Sequence, residues 1–314
     1  MSSLPAWLQT SPPTLGLHLD ARRVTAVVAD RAAGSPVIRA VGSSLLPEGA
    51  LVPSLTAVNV VQRDECVRAI REAVEQVGGR HRRVALAVPD TAAKVSLLPF
   101  EQVPPNVRDA DRLVRLQLRK SIPFPVEEAQ VAWSAGPETG AGTTLAVVAM
   151  RRETVLEYEA LCSAAGLQAG TVDIATFNVV NLALLGAGHA GDELLVHVTP
   201  AYASIAVVRD GGLIFFRTRA ADASEPLPDV VHQTRMYYED RLAGDGFARV
   251  VVVAGPDVAD RPRVVGDIAS LFDTPVTMLA LDGVAAFGDR VQASEALVGQ
   301  IAAPAGLVLR EMEA

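Results

Sequence analysis

The sequence predicts an α/β chain of two duplicated lobes built on mixed sheets, with an α+β subdomain inserted between the repeats. Three observations carry this. A succession of three short strands, a helix and a continuous apolar strand occurs twice, at an offset of roughly 170–180 residues. The first strands of each copy are joined by tight turns, which makes them antiparallel and excludes an all-parallel nucleotide fold. Residues 94–185, between the copies, carry additional strands and helices of their own.

In the first copy, LGLHL (15–19), VTAVVA (24–29) and VIRAV (37–41) read as strands, with turns at Asp20-Ala21-Arg22-Arg23 and Gly34-Ser35-Pro36. A helix follows at about 64–77, with Val67, Ile70, Val74 and Val77 at helical spacing, Asp64 as its expected N-cap and Gly78-Gly79 as its stop. RVALAVP (83–89) is the apolar run of a buried strand. The intervening region gives a strand at 94–98, a helix at about 107–121, strands near 130–134 and 144–149 joined by the loop PETGAGT (137–143), and helices at about 153–165 and 174–185. The second copy gives strands at 194–198, 204–209 and 213–220, a helix at about 228–243 and a buried strand at 249–255. A helix carrying Val264, Val265, Ile268, Leu271 and Phe272, and a strand at 275–279, complete it. The expected organisation is a flexible arm (1–14), a first lobe (15–93), the insertion (94–170), an interlobe helix and linker (171–190) and a second lobe (191–314).

The chain has 314 residues, half of them hydrophobic and a fifth charged, and a net charge of −8. Length and composition suit two globular domains. An acidic surface repels phosphate backbones, so nucleic acid is not expected as a partner. The short basic stretches Arg80, Arg82, Arg83 and Arg115, Arg119, Lys120 read as solvated rims. Cys66 and Cys162 are too few and too far apart for a disulfide framework or zinc site, which suits a cytoplasmic chain. The start MSSLPAWLQTSPPT has neither the basic nor the apolar stretch of a signal peptide, and no apolar run approaches the ~20 residues of a membrane span.

Familiar chemical motifs fail on context. Lys94 and Lys120, the two lysines, do not follow glycine, so there is no P-loop. Gly186, Gly188 and Gly191 spell a dinucleotide-like string, but it follows a helix and precedes a strand, the reverse of what a pyrophosphate site needs. The histidines (His18, His81, His189, His197, His232) show no metal spacing. His18 and His197 do occupy equivalent places in the two repeats. No pair of carboxylates singles itself out for acid–base work.

Several passages resemble the type IV pilus assembly protein PilM family, a relative of the cell-division protein FtsA within the actin, hexokinase and heat-shock-chaperone superfamily. They are LGLHLDARRVTAVVAD, LAVPDTAAKVSLLPF, RKSIPFPVEEAQVAW (119–133), residues 144–184 and the closing Ala303-Pro304-Ala305-Gly306-Leu307. The resemblance covers nearly the whole chain after about residue 14. It implies an actin-like (ribonuclease H-like) duplicated fold. It also implies a place in the cytoplasm, peripheral to the inner membrane through a partner, the cytoplasmic tail of a PilN-like protein bound near the inserted subdomain. Pilus motor ATPases and self-association are further partners it suggests. The segment Lys120, Ile122, Pro123, Phe124, Pro125 is the candidate tail site, because two prolines hold the chain extended beside an aromatic. A plain helix-to-strand connection with Phe124 in the core is the competing reading.

The chain departs from the family at the nucleotide positions. An aspartate and a glycine are expected in each phosphate hairpin. The first reads His18 and Asp20, near Thr25; the second reads His197 and Thr199; and the paired glycines beside the adenosine read Gly255-Pro256. Aspartates position magnesium, and turn glycines let backbone N–H groups approach phosphate. A carboxylate at a phosphate turn adds repulsion of roughly 4 kcal/mol at ~4 Å and an effective dielectric of about 20. The expectation is a pseudo-ATPase scaffold that needs no cofactor, with ATP and magnesium bound weakly if at all. The alternatives are an ATP-binding switch or ATPase of the same fold, using Asp20 or Asp173, a self-assembling filament, and an actin-like component of a type II secretion system.

Overall fold

The structure is a computed structural model that describes residues 12–313 except 33, 140, 141, 186–190 and 290. The glycines Gly186 and Gly188, His189, most of the N-terminal arm and the tip of the 137–143 loop therefore lie outside the described residues.

The first lobe starts with β1 (Leu15–Leu19), β2 (Arg23–Ala32) and β3 (Ser35–Leu45), a meander in which His18 pairs with Thr25. Helix α1 (Arg63–Val77) covers one face, and β4 (Arg83–Val88) returns parallel to β1. Gln62, not Asp64, occupies the N-cap of α1, without a side-chain cap bond; Asp64 lies in the first turn, where its charge favours the helix dipole. After a short 3-10 turn at Asp90–Ala92 the chain enters the insertion. This comprises β5 (Lys94–Phe100), α2 (Val107–Leu118), β6 (Ala129–Thr139) and β7 (Gly142–Arg151), in the sheet order β5-β7-β6.

Helix α3 (Arg152–Ala164) leads to β8 (Gln168–Ile174), a strand absent from the sequence reading. β8 lies parallel to β4 and forms one edge of the first sheet, with a register shift between Val84 and Ala85. Its pattern QAGTVDI is neither alternating nor continuously apolar, which hides it. Tyr158, Leu161 and Cys162 of α3 join the first lobe's core with Cys66, Ile70 and Leu86, so α3 and β8 pack with that lobe although α3 and the start of β8 fall within 94–170.

Helix α4 (Ala175–Leu185) crosses to the second lobe, whose strands are β9 (Glu193–Val198), β10 (Tyr202–Arg209), β11 (Gly212–Ala220), β12 (Arg249–Ala254) and β13 (Val276–Met278). The sheet order is β11-β10-β9-β12-β13, with α5 (Leu227–Arg241) and α6 (Arg261–Ala269) on its outer face. The chain then returns to the first sheet as β14 (Ala286–Phe287), beside β3, and ends in α7 (Glu295–Glu313).

The largest core lies between the lobes. Val27, Ala85 and Ala87 of the first sheet and Leu195, Ala206 and Val253 of the second share one apolar cluster with α4 and α7. Small residues let these elements approach. A Cβ on Gly16 of β1 would come within 2.5 Å of the Pro304 carbonyl oxygen, and one on Gly299 within 2.2 Å of the Ala254 carbonyl oxygen. We expect Gly299→Ala to lower stability by about 2 kcal/mol or more, because the clash is with rigid backbone. Gly266→Ala, in the middle of α6 with nothing near its Cβ, should instead raise stability by about 0.5–1 kcal/mol. Urea denaturation midpoints check both.

Candidate functional site

Among the cavities of the described residues, two places bear on the sites expected from the sequence. The first is the cleft where the β1–β2 and β9–β10 turns face each other. His18, Asp20, Arg23 and Thr25 line it from one lobe; His197, Thr199, Pro200, Gly255 and Asp257 line it from the other. The structure thus brings together all six residues that the sequence singled out for a nucleotide site. The space they enclose is about 30 Å³. That suffices for two or three waters, at roughly 10–15 Å³ each, whereas ligand sites run to several hundred Å³.

Side chains of the turns consume the backbone donors there. In the first turn Asp20 Oδ1 accepts from Ala21 N–H at 2.7 Å, and Asp20 N–H donates to Arg23 O. In the second, Thr199 Oγ1 accepts from Ala201 and Tyr202 N–H at 3.2 and 3.1 Å. Across the mouth, Arg23 donates twice to Asp257, both contacts at 2.6 Å, a planar fork joining the lobes.

Burial dominates the electrostatics. It pushes His18 down to about 4, and His197 to about 3 with repulsion from His18 added, so both rings are neutral at pH 7. His18 Nε2 has no hydrogen-bond partner among the described residues, while His197 Nδ1 lies 2.7 Å from Thr176 Oγ1. Burial raises Asp20 to about 6 against the opposing Ala21 N–H. It raises Asp90 to about 6 as well, although Ser204 O–H (2.5 Å) and Thr176 N–H (3.0 Å) donate to that carboxylate. Asp90 thereby ties the root of the insertion to the first turn of α4 and to the second lobe. Sequence reasoning missed Asp90, Thr176, Ser204 and the Arg23–Asp257 pair. Asp90, directly after an apolar strand and Pro89, was the visible signal. Among the described residues no group of three or more His, Cys, Asp or Glu is placed to hold a metal ion.

The second place is a groove between the inserted sheet and the body. α2 covers one face of that sheet, where Val114, Leu118, Leu145 and Val147 pack together. Ile122 is buried there and Phe124 packs against the same cluster, with Lys120, Pro123 and Pro125 exposed. None of these five lines the groove, which opens on the opposite face. One end, about 250 Å³, is walled by Ala132, Val148, Met150, Val155, Glu159 and Val172. The other, about 290 Å³, runs past Ser134 and Ala146 to Phe177 and Leu184 of α4, and to Gly211 and Gly212 of the second lobe's hairpin. Gln130, Ala132, Ser134 and Gly136 alternate along β6 and line both ends. β6 and β8 are both edge strands. Asp173 and Arg310 pair between the two ends. The sequence could not show the groove, because its walls come from four separate stretches of chain.

Comparisons with known proteins follow this geometry. A solved structure titled "PilM-PilN type IV pilus biogenesis complex" matches with a TM-score of 0.82 at 17% identity, over 97% of this chain and 100% of that one. A Bacteroides thetaiotaomicron protein of actin-like ATPase fold and unknown function matches with a TM-score of 0.52 at 9% identity, over 96% and 98%. The cytoplasmic domain of EpsL, an inner-membrane component of the Vibrio cholerae type II secretion system, gives 0.49 at 12% identity, over 95% and 93%. No curated protein matches. The first two of these likenesses show an actin-like fold. The family described as type IV pilus assembly protein PilM matches residues 16–240, well over half of the sequence. The chain belongs to the type IV pilus assembly protein PilM family.

Proposed function

We propose that this chain is an adaptor, which takes the cytoplasmic tail of a PilN-like inner-membrane protein into the groove beside the inserted sheet and uses its interlobe cleft as a structural joint. The observation that carries the proposal is the groove itself. Its two cavities lie along one face of β6, their walls mix apolar and polar side chains, and edge strands border them, an arrangement suited to an extended segment held through main-chain bonds and alternate side-chain pockets. The fold likeness to a chain solved as a PilM-PilN complex supports the same partner class. Membrane association then goes through the tail, since no described helix is long and apolar enough to cross a membrane.

The cleft supports the other half of the proposal. Its turn amides already have acceptors in Asp20 and Thr199, its free space is a few waters' worth, and Arg23–Asp257 spans its mouth. A triphosphate would have to displace all three.

For the tail, fluorescence anisotropy with a synthetic peptide of the PilN-like tail encoded by the same genome is the direct measurement. Ala132→Arg, which fills the groove from an exposed position, should weaken binding at least tenfold. Lys120→Ala and Pro123→Ala, on the opposite face, should change it less than twofold; the reverse pattern would move the site to 120–125 and refute the groove. For the cleft, titration calorimetry with Mg-ATP should give no heat in the micromolar range, and a micromolar affinity would end the structural-joint reading. The cleft's ionisable groups should then act on stability. Asp20 is raised to about 6 in the folded chain from a usual value near 3.8, so its contribution is present at low pH and is lost as pH rises from about 4 to 6. Asp20→Asn removes that loss. The variant should therefore gain on the parent by on the order of 1–3 kcal/mol between pH 4 and 7, measured by urea denaturation at each pH.

A further inference from the structure

We infer that Glu159 makes the groove selective for a tail carrying a basic side chain, so that the recognised segment is extended and apolar with one Arg or Lys at the Val155 end. The inference rests on the tail-docking proposal above and names what the site reads.

The charge inventory of the groove leads to it. Asp173 is taken up by Arg310, which also holds Glu311. Gln130 is neutral. Glu159 lies one helical turn after Val155 on α3, so both project to the same side of the helix. Its carboxylate has no ion pair or hydrogen bond among the described residues, yet it is half-buried beside Val148, Met150 and Ile174. Water satisfies it while the groove is empty. A docked apolar segment removes that water, and a neutral tail leaves an ionised carboxylate unpaired in a low-dielectric wall. A guanidinium or ammonium on the tail cancels the penalty, and its aliphatic stem can lie along Val148 and Met150.

The partner class has such groups to offer. Cytoplasmic segments flanking membrane spans carry an excess of Lys and Arg. The groove's length sets the rest: Gln130 to Gly136 along β6 spans roughly 20 Å, room for six or seven extended residues. With the basic residue at Glu159, the remainder runs over α4 toward Gly211 and Gly212.

The test uses the full chain and three labelled eight-residue peptides of the PilN-like tail, with its basic residue retained, changed to Gln, or changed to Glu. The parent should bind the basic peptide at least tenfold more tightly than the Gln peptide and more than a hundredfold more tightly than the Glu peptide. Glu159→Gln should abolish the preference, and Glu159→Lys should invert it toward the Glu peptide, an outcome that misfolding cannot produce. If Glu159→Gln keeps the preference, or the parent binds all three peptides alike, the inference fails while tail docking stands. If the parent binds none of them, the docking proposal falls and takes this inference with it.

Discussion

The close approach of α4 and α7 to both sheets is the contact on which the molecule depends. Each sheet has a second face that must be covered, and these two helices cover both at once. They can do so because α7 presents Ala302, Ala303, Ala305 and Gly306, and because Gly16 and Gly299 remove the Cβ atoms that would hold it off. Apolar residues of both sheets and of both helices thus share one continuous cluster.

That joint explains why the polar cleft can be small. With the lobes joined by apolar contact, the facing turns are held close to each other. They carry their own acceptors, Asp20 and Thr199, and a cross-cleft ion pair. The cost is visible in four strongly desolvated groups. Two imidazoles are held neutral, and two carboxylates are pushed toward the pH at which they take up protons. Such groups are usual at catalytic centres. Here His18, Asp20 and His197 line a space of about 30 Å³, and His18 Nε2 has no hydrogen-bond partner among the described residues.

Much of this was legible in the sequence. The repeated meander, the apolar buried strands and the Gly78-Gly79 and Gly211-Gly212 turns are local signals, and local signals survive folding. Equivalent positions in the repeats likewise put His18 and His197 on first strands facing a common cleft, and the family resemblance grouped Asp20 with Gly255. What stayed hidden depends on distant pairing. β8 has no alternation because one of its neighbours is a parallel buried strand and its other edge is open. Phe124 reads equally as a docking aromatic or a core residue until its packing against the cluster of Val114 and Leu145 is seen. Asp90 gains its role only through Ser204, more than a hundred positions later, which donates to it.

The two interlobe contacts differ in kind. The α4–α7 core is apolar and continuous, so parting it exposes surface at about 25 cal/mol per Å². Arg23–Asp257 is a partly exposed pair, with side chains 19% and 25% accessible, and water replaces most of what is lost when it opens. The lobes are thus joined by an apolar core on one side and by a partly exposed ion pair at the mouth of the cleft. The groove lies on the side of the apolar core, since Phe177, Val180 and Leu184 of α4 form its wall. Phe177 meets Phe216 of the second lobe edge to face at 5.3 Å, and Asp90 holds the first turn of the same helix. The groove's wall on this side is thus the same helix that joins the two lobes.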